Sequence, residues 1–180
     1  EHHESSEDTT DASLFTDWDK TAHERDLLPH EYTHSWNGKF RRPADLWTPS
    51  YNVPMQTSLL WVYEGQTEYW GKVLAARSGL HTRQQALDEL ALIAAHYDMQ
   101  TGRQWRSLQD TTNEPIINHH RPKPWRDWTR AKEYYDEAAL VWLDADTLIR
   151  ERSKGRRSLD DFARAFFSIE DGSKAVVTYT

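Results

Sequence analysis

The sequence predicts a mainly α chain, and three observations carry that reading. Apolar residues recur at helical spacing in four long segments. Two capping patterns, Thr82 with Gln85 and Ser158 with Asp161, each stand where a periodic run begins. Glycines at 38, 79, 102 and 155 stand where such runs stop. The length of 180 residues suits one domain with a real core. We divide it into a polar extended segment, 1–13, and a main domain, 14–180.

Residues 1–13 are almost wholly acidic, hydroxylic or otherwise polar and cannot drive burial by themselves. From Thr21 to about Asn37, charged residues alternate with Leu27, Leu28, Tyr32 and Trp36, which predicts a helix that Pro29 either kinks or starts and that Gly38 closes. Pro43, Pro49 and Pro54 mark an aromatic-rich loop to about Gln56. Ser58–Ser78 predicts a second helix, stopped by Gly79. A third opens at the Thr82 cap, with Leu87, Leu90, Ala91, Ala94 and Tyr97 as its apolar stripe, and ends by Gly102. Thr111–Pro124 is a loop with three prolines and the pair His119-His120. A fourth helix should span about Arg130–Lys154, burying Ala138, Val141, Trp142, Ala145, Leu148 and Ile149, with Gly155 after it. A short fifth runs from the Ser158 cap to Phe167, and Ala175–Thr180 reads as a strand. We take the chain for a fragment, since it begins on Glu and stops within that strand.

Composition narrows the chemistry. Lys and Arg number 22 against 29 Asp and Glu, a net charge of −7 without a basic patch, which argues against nucleic acid as a partner. With no Cys there is no disulfide, no thiolate metal site and no Cys nucleophile, so a metal must sit on nitrogen and oxygen. The longest uncharged apolar stretches, such as Ala138–Leu143, fall far short of the ~20 residues that span a bilayer. The compartment stays open.

His30-Glu31-Tyr32-Thr33-His34 matches H-E-x-x-H. On a helix that spacing brings both imidazoles to one face, about 6 Å apart and close enough to share one zinc, with Glu31 beside it. Downstream, Glu64 and Glu68 stand one turn apart on the second predicted helix. Catalytic zinc takes three protein ligands and leaves one position open. Two histidines and Glu64 supply such a set, and Glu68 can hold a ligand imidazole through its other ring nitrogen. His119-His120 is the competing pair of potential ligands, which we read as structural or incidental.

Residues 30 to 43, His-Glu-Tyr-Thr-His-Ser-Trp-Asn-Gly-Lys-Phe-Arg-Arg-Pro, followed by Leu60-Trp61-Val62-Tyr63-Glu64-Gly65, resemble the glycyl aminopeptidase family of gluzincin zinc metallopeptidases. The likeness continues through Tyr134–Val141 and Gly155–Ala165. It implies the helical catalytic part of a thermolysin-like peptidase domain, with a β-rich domain usual before it and a PDZ domain after it. It implies one Zn2+ per chain on His30, His34 and Glu64, with Glu31 as general base and Tyr135 as oxyanion stabiliser; Tyr134 is the neighbouring alternative. Glu1-His2 resembles the end of a family strand whose Glu receives the substrate amine, against the alternative of a polar terminus in solvent. Two departures bear on helix geometry: Pro29 replaces a small or aliphatic residue, and Glu137-Ala138 replaces the commoner Lys-Gly. The implied activity is hydrolysis of N-terminal residues, Gly or Ala preferred, from a peptide substrate. A zinc endopeptidase and a non-catalytic zinc- or peptide-binding module are the rival readings.

Overall fold

The computed structural model describes residues 5–114, 124–169 and 175–180. Two 3-10 turns, Ala12–Phe15 and Ala22–Glu24, lead into helix α1 (Leu27–Thr33), strand β1 (Arg41–Pro43), and the long helices α2 (Leu60–Ser78) and α3 (Arg83–Met99). Two single-turn helices follow, α4 (Leu108–Thr111) and α5 (Arg126–Thr129), then α6 (Asp136–Ser153), α7 (Leu159–Phe167) and strand β2 (Val177–Tyr179). β1 and β2 pair in parallel, with Arg41 opposite Val177 and Pro43 opposite Tyr179. The mainly α class is thus observed. No described helix is long and apolar enough to cross a membrane.

α2 is the central helix. It is buried on most of its circumference, through Tyr63, Gly65, Gln66, Thr67, Tyr69, Trp70, Gly71, Lys72 and Ala75, and so lacks the single apolar stripe of a surface helix. α1 and α6 make the most extensive contacts with it. Both come close because glycine faces them. A Cβ on Gly65 would lie 2.2 Å from Ala138 Cβ of α6, and one on Gly71 would lie 3.0 Å from His30 Cβ of α1. The departure to Ala138 is therefore accommodated by Gly65 opposite. Tyr69, Trp70, Ala139 and Leu159 form the apolar core, with Trp142, Ile149 and Phe162 packed against it.

The two capping boxes form as the sequence indicates, Thr82 with Gln85 and Ser158 with Asp161, and Gly79 ends α2 in the left-handed conformation at φ 81°. α7 ends at Phe167, and β2 falls inside the expected strand. Elsewhere the boundaries move. The first helix is shorter than Thr21–Asn37, because Pro29 sits in the first turn of α1, where a missing N–H breaks no helical bond. Beyond it, the Asn37 N–H returns to Thr33 O and the Gly38 N–H to Arg41 O, which turns the chain into β1. α6 starts at Asp136 rather than Arg130. Arg130 has φ 55°, and the Glu133 carboxylate accepts the Ala131 N–H at 2.6 Å, holding 130–135 in an irregular turn. α3 ends at Met99, three residues before Gly102, as Gln100 turns extended. Of its expected stripe Leu90 and Tyr97 face inward, while Leu87, Ala91 and Ala94 are exposed. On α6, Val141 and Leu148 are likewise exposed, and Ala138, Trp142, Ala145 and Ile149 turn inward.

Gly65→Ala should lower stability by about 1–3 kcal/mol, because the added methyl overpacks the α2–α6 contact. Gly79→Ala has open space around it and should cost about 1 kcal/mol from φ alone. Denaturant unfolding of both variants checks that order.

Candidate metal centre

α1 places His30 and His34 one turn apart, and the His34 N–H closes the helical bond to His30 O. Their Nε2 atoms face each other at 3.2 Å. Glu64 Oε2, from α2, lies 3.5 Å from His30 Nε2 and 3.4 Å from His34 Nε2. A tetrahedral zinc with bonds of about 2.0–2.1 Å has ligand-to-ligand edges of about 3.4 Å, so the triangle has the size of three corners of such a site. The donor set fits as well. Glu64 Oε2 is buried without a hydrogen-bond partner, which leaves its lone pairs for a cation.

The outer nitrogens are also engaged. His34 Nδ1 is 2.9 Å from the Asn37 carbonyl, and His30 Nδ1 is 2.8 Å from Glu68 Oε2. Both contacts call for a proton on Nδ1, which turns the Nε2 lone pair of each ring into the triangle. Three lone pairs then converge on one point, an arrangement a positive charge stabilises. Burial lowers the affinity of His30 for a proton, but Glu64 and Glu68 outweigh it and push its pKa up to about 10. Burial likewise disfavours charge on Glu64 and Glu68, yet the imidazoles hold Glu64 below its ordinary value, and His30 with Lys72 brings Glu68 down to about 2. The pocket therefore favours cationic occupancy, and a metal there competes with a proton.

The ligand atoms of His30, Glu31 and His34 lie within 4.8 Å of one another, so Glu31 stands beside the triangle. His30, Glu31, Glu68 and Tyr135 line a cleft of about 600 Å³. The Tyr135 ring is 6.1 Å from that of His30. Tyr135 and Glu68 also line a second cleft of about 500 Å³, with Tyr97, Arg130 and Asp136. Tyr134 is more deeply buried, 5% exposed, and lines neither of these two clefts. Burial, reinforced by Glu64 and Glu68, raises the Tyr135 hydroxyl well above its ordinary pKa, which keeps it a hydrogen-bond donor.

The structure thus brings together His30, Glu31, His34, Glu64, Glu68 and Tyr135. Glu1 and the pair His119-His120 lie outside the described residues. Sequence reasoning missed Asn37, which is fully buried and holds His34 through its carbonyl, while its side chain donates to Tyr63 O and Thr67 Oγ1, each at 2.9 Å. Its signal was only an Asn before a Gly, read as the end of a helix. Lys72 was also missed; it contacts Glu68 Oε1 at 2.8 Å.

The sequence model of the M61 glycyl aminopeptidase family matches residues 23–141, a span that contains all six of these residues. No match to the chain is found among curated proteins.

Asn37→Ala keeps the carbonyl that meets His34 Nδ1 but releases that peptide from α2, so it should weaken metal binding by up to about 10-fold through misplacement of the carbonyl. It should also lower stability, because it removes two buried hydrogen bonds to α2. Chelator competition and thermal unfolding read the two effects separately.

Proposed function

The chain belongs to the M61 glycyl aminopeptidase family, and on that premise we propose that it removes N-terminal residues from peptides with His30, His34 and Glu64 holding one zinc ion. The observation that carries this reading is the near-equilateral triangle of His30 Nε2, His34 Nε2 and Glu64 Oε2. Zinc at such a site supplies Lewis acidity, lowering the pKa of water towards ~7 and polarising the scissile carbonyl. Glu31 takes the proton of the attacking water at its carboxylate and passes it to the leaving amine. The Tyr135 hydroxyl donates to the oxyanion as charge develops on the carbonyl oxygen. Glu68 and the Asn37 carbonyl keep the two imidazoles turned with Nε2 inward. The cleft beside His30, Glu31 and Tyr135 receives the peptide, and the preference for Gly or Ala at its first residue rests on the family's glycyl activity.

Glu31→Gln should still bind one equivalent of zinc and lose turnover, since an amide keeps the shape but accepts no proton. Metal analysis of the purified variant, beside hydrolysis of free and N-acetylated glycyl peptides by the wild type, tests the base and the aminopeptidase reading together. Equal cleavage of the acetylated peptide would convert the assignment to an endopeptidase.

Tyr135→Phe should leave zinc in place and lower kcat by an amount equivalent to roughly 2–4 kcal/mol of barrier, the range for one lost oxyanion donor, with little change in KM. The opposite pattern, raised KM at constant kcat, would assign Tyr135 to substrate packing and the donor role to Tyr134.

A further inference from the structure

Lys72 is buried, and its ammonium meets four carboxylates, one from its own helix and three from elsewhere in the chain. Glu68 Oε1 lies at 2.8 Å, Asp26 Oδ2 and Glu89 Oε1 at 2.9 Å, and Asp136 Oδ1 at 3.5 Å. Asp26 is the residue before α1, Glu68 stands one turn back on α2, Glu89 belongs to α3 and Asp136 begins α6. One buried cation facing four carboxylates is a poor device for stability alone, because the desolvation of so many charges offsets what their attraction returns. Its placement points elsewhere.

The two oxygens of Glu68 are divided. Oε1 is on Lys72 and Oε2 on His30 Nδ1, so the carboxylate is held at both ends and the imidazole takes its orientation from it. On the other side, Asp136 follows directly on Tyr135. Tyr135 occupies the cap position of α6 at φ −85° and ψ −85° and makes no side-chain capping bond, so the contact of its neighbour with Lys72 ties that turn to α2. We propose that Lys72 is the positioning residue shared by both halves of the site: through Glu68 it sets His30 for the metal, and through Asp136 it sets Tyr135 for the carbonyl oxygen. This inference rests on the metal-centre reading above and adds to it a single cation that keeps the two halves in register.

The test uses the full-length protein, zinc itself as the probe, and two variants. Lys72→Met combined with Glu89→Gln leaves the net charge of the chain unchanged and should weaken the zinc dissociation constant at least tenfold, measured by chelator competition on the folded variant. Asp136→Ala removes the most exposed of the four carboxylates. It should leave the zinc dissociation constant within twofold of wild type and lower kcat at least fivefold at nearly constant KM, with kcat expressed per folded, zinc-loaded chain so that a general loss of stability does not produce the same drop. Wild-type zinc affinity in the folded double variant, or unchanged kcat in Asp136→Ala, overturns the role of Lys72. If the double variant does not fold, the Asp136→Ala result decides alone. A wild-type chain that binds no zinc overturns the metal centre instead, so the two failures are told apart.

Discussion

Helix α2 takes α1 on one flank and α6 on another at separations that only a missing Cβ permits, and the positions of His30, Glu64 and Tyr135 follow from that closeness. His30 Cβ would touch a methyl on Gly71, and Ala138, three residues beyond Tyr135, would overlap one on Gly65. Gly65 is also the immediate neighbour of Glu64. Gly65 thus brings α6 to the helix that carries Glu64, and Gly71 brings α1 with its histidines to the same helix. A layer of ordinary apolar side chains between these helices would hold them 8–10 Å apart and spread the donors beyond the reach of one ion.

That closeness has an electrostatic cost, and the polar residues of α2 are its answer. Gln66, Thr67 and Lys72 are buried in the central helix of a small domain, where apolar residues are the rule. Thr67 receives Asn37, which in turn holds His34; Lys72 receives Glu68, which in turn holds His30. Each imidazole of the triangle is thus backed by a polar chain that ends on α2. The apolar core takes Tyr69 and Trp70 from between Glu68 and Lys72 on the same helix and joins them to Ala139 of α6 and Leu159 of α7. Stability and chemistry thus share the middle of α2.

Much of this was legible in the sequence, for identifiable reasons. Capping boxes and left-handed glycines are local signals, so the Ser158 cap and the stop at Gly79 appear where the residues place them. The H-E-x-x-H spacing and the Glu64–Glu68 pair are also local, since each lies on one helix. What could not be read is what depends on contact between segments. Lys72 looks like an exposed helical lysine until α1, α3 and α6 surround it, and Asn37 looks like a helix end until its amide reaches α2. The late start of α6 has the same origin. Arg130 is drawn out of helical geometry to donate to Arg106 O at 2.5 Å and to pair with Glu137, partners that no periodicity announces.

The parallel pair of β1 and β2 joins Arg41 to Val177, closing a loop of well over a hundred residues with only two short strands. Backbone bonds flank it, Val177 N–H to Phe40 O at 2.7 Å and Ala44 N–H to Tyr179 O at 2.8 Å, and the Arg41 guanidinium stacks on Phe166 and Tyr179. Such a pairing returns nothing until the helices between its strands have assembled, because the chain entropy lost on closure has to be met before the contacts reward it. A pairing this non-local is expected to form late and to open early. Since β1 begins only seven residues after His34, fraying of that ladder frees the segment that turns back from α1, and the amides of Ala44 and Val177 should exchange with solvent well before those in the middle of α2.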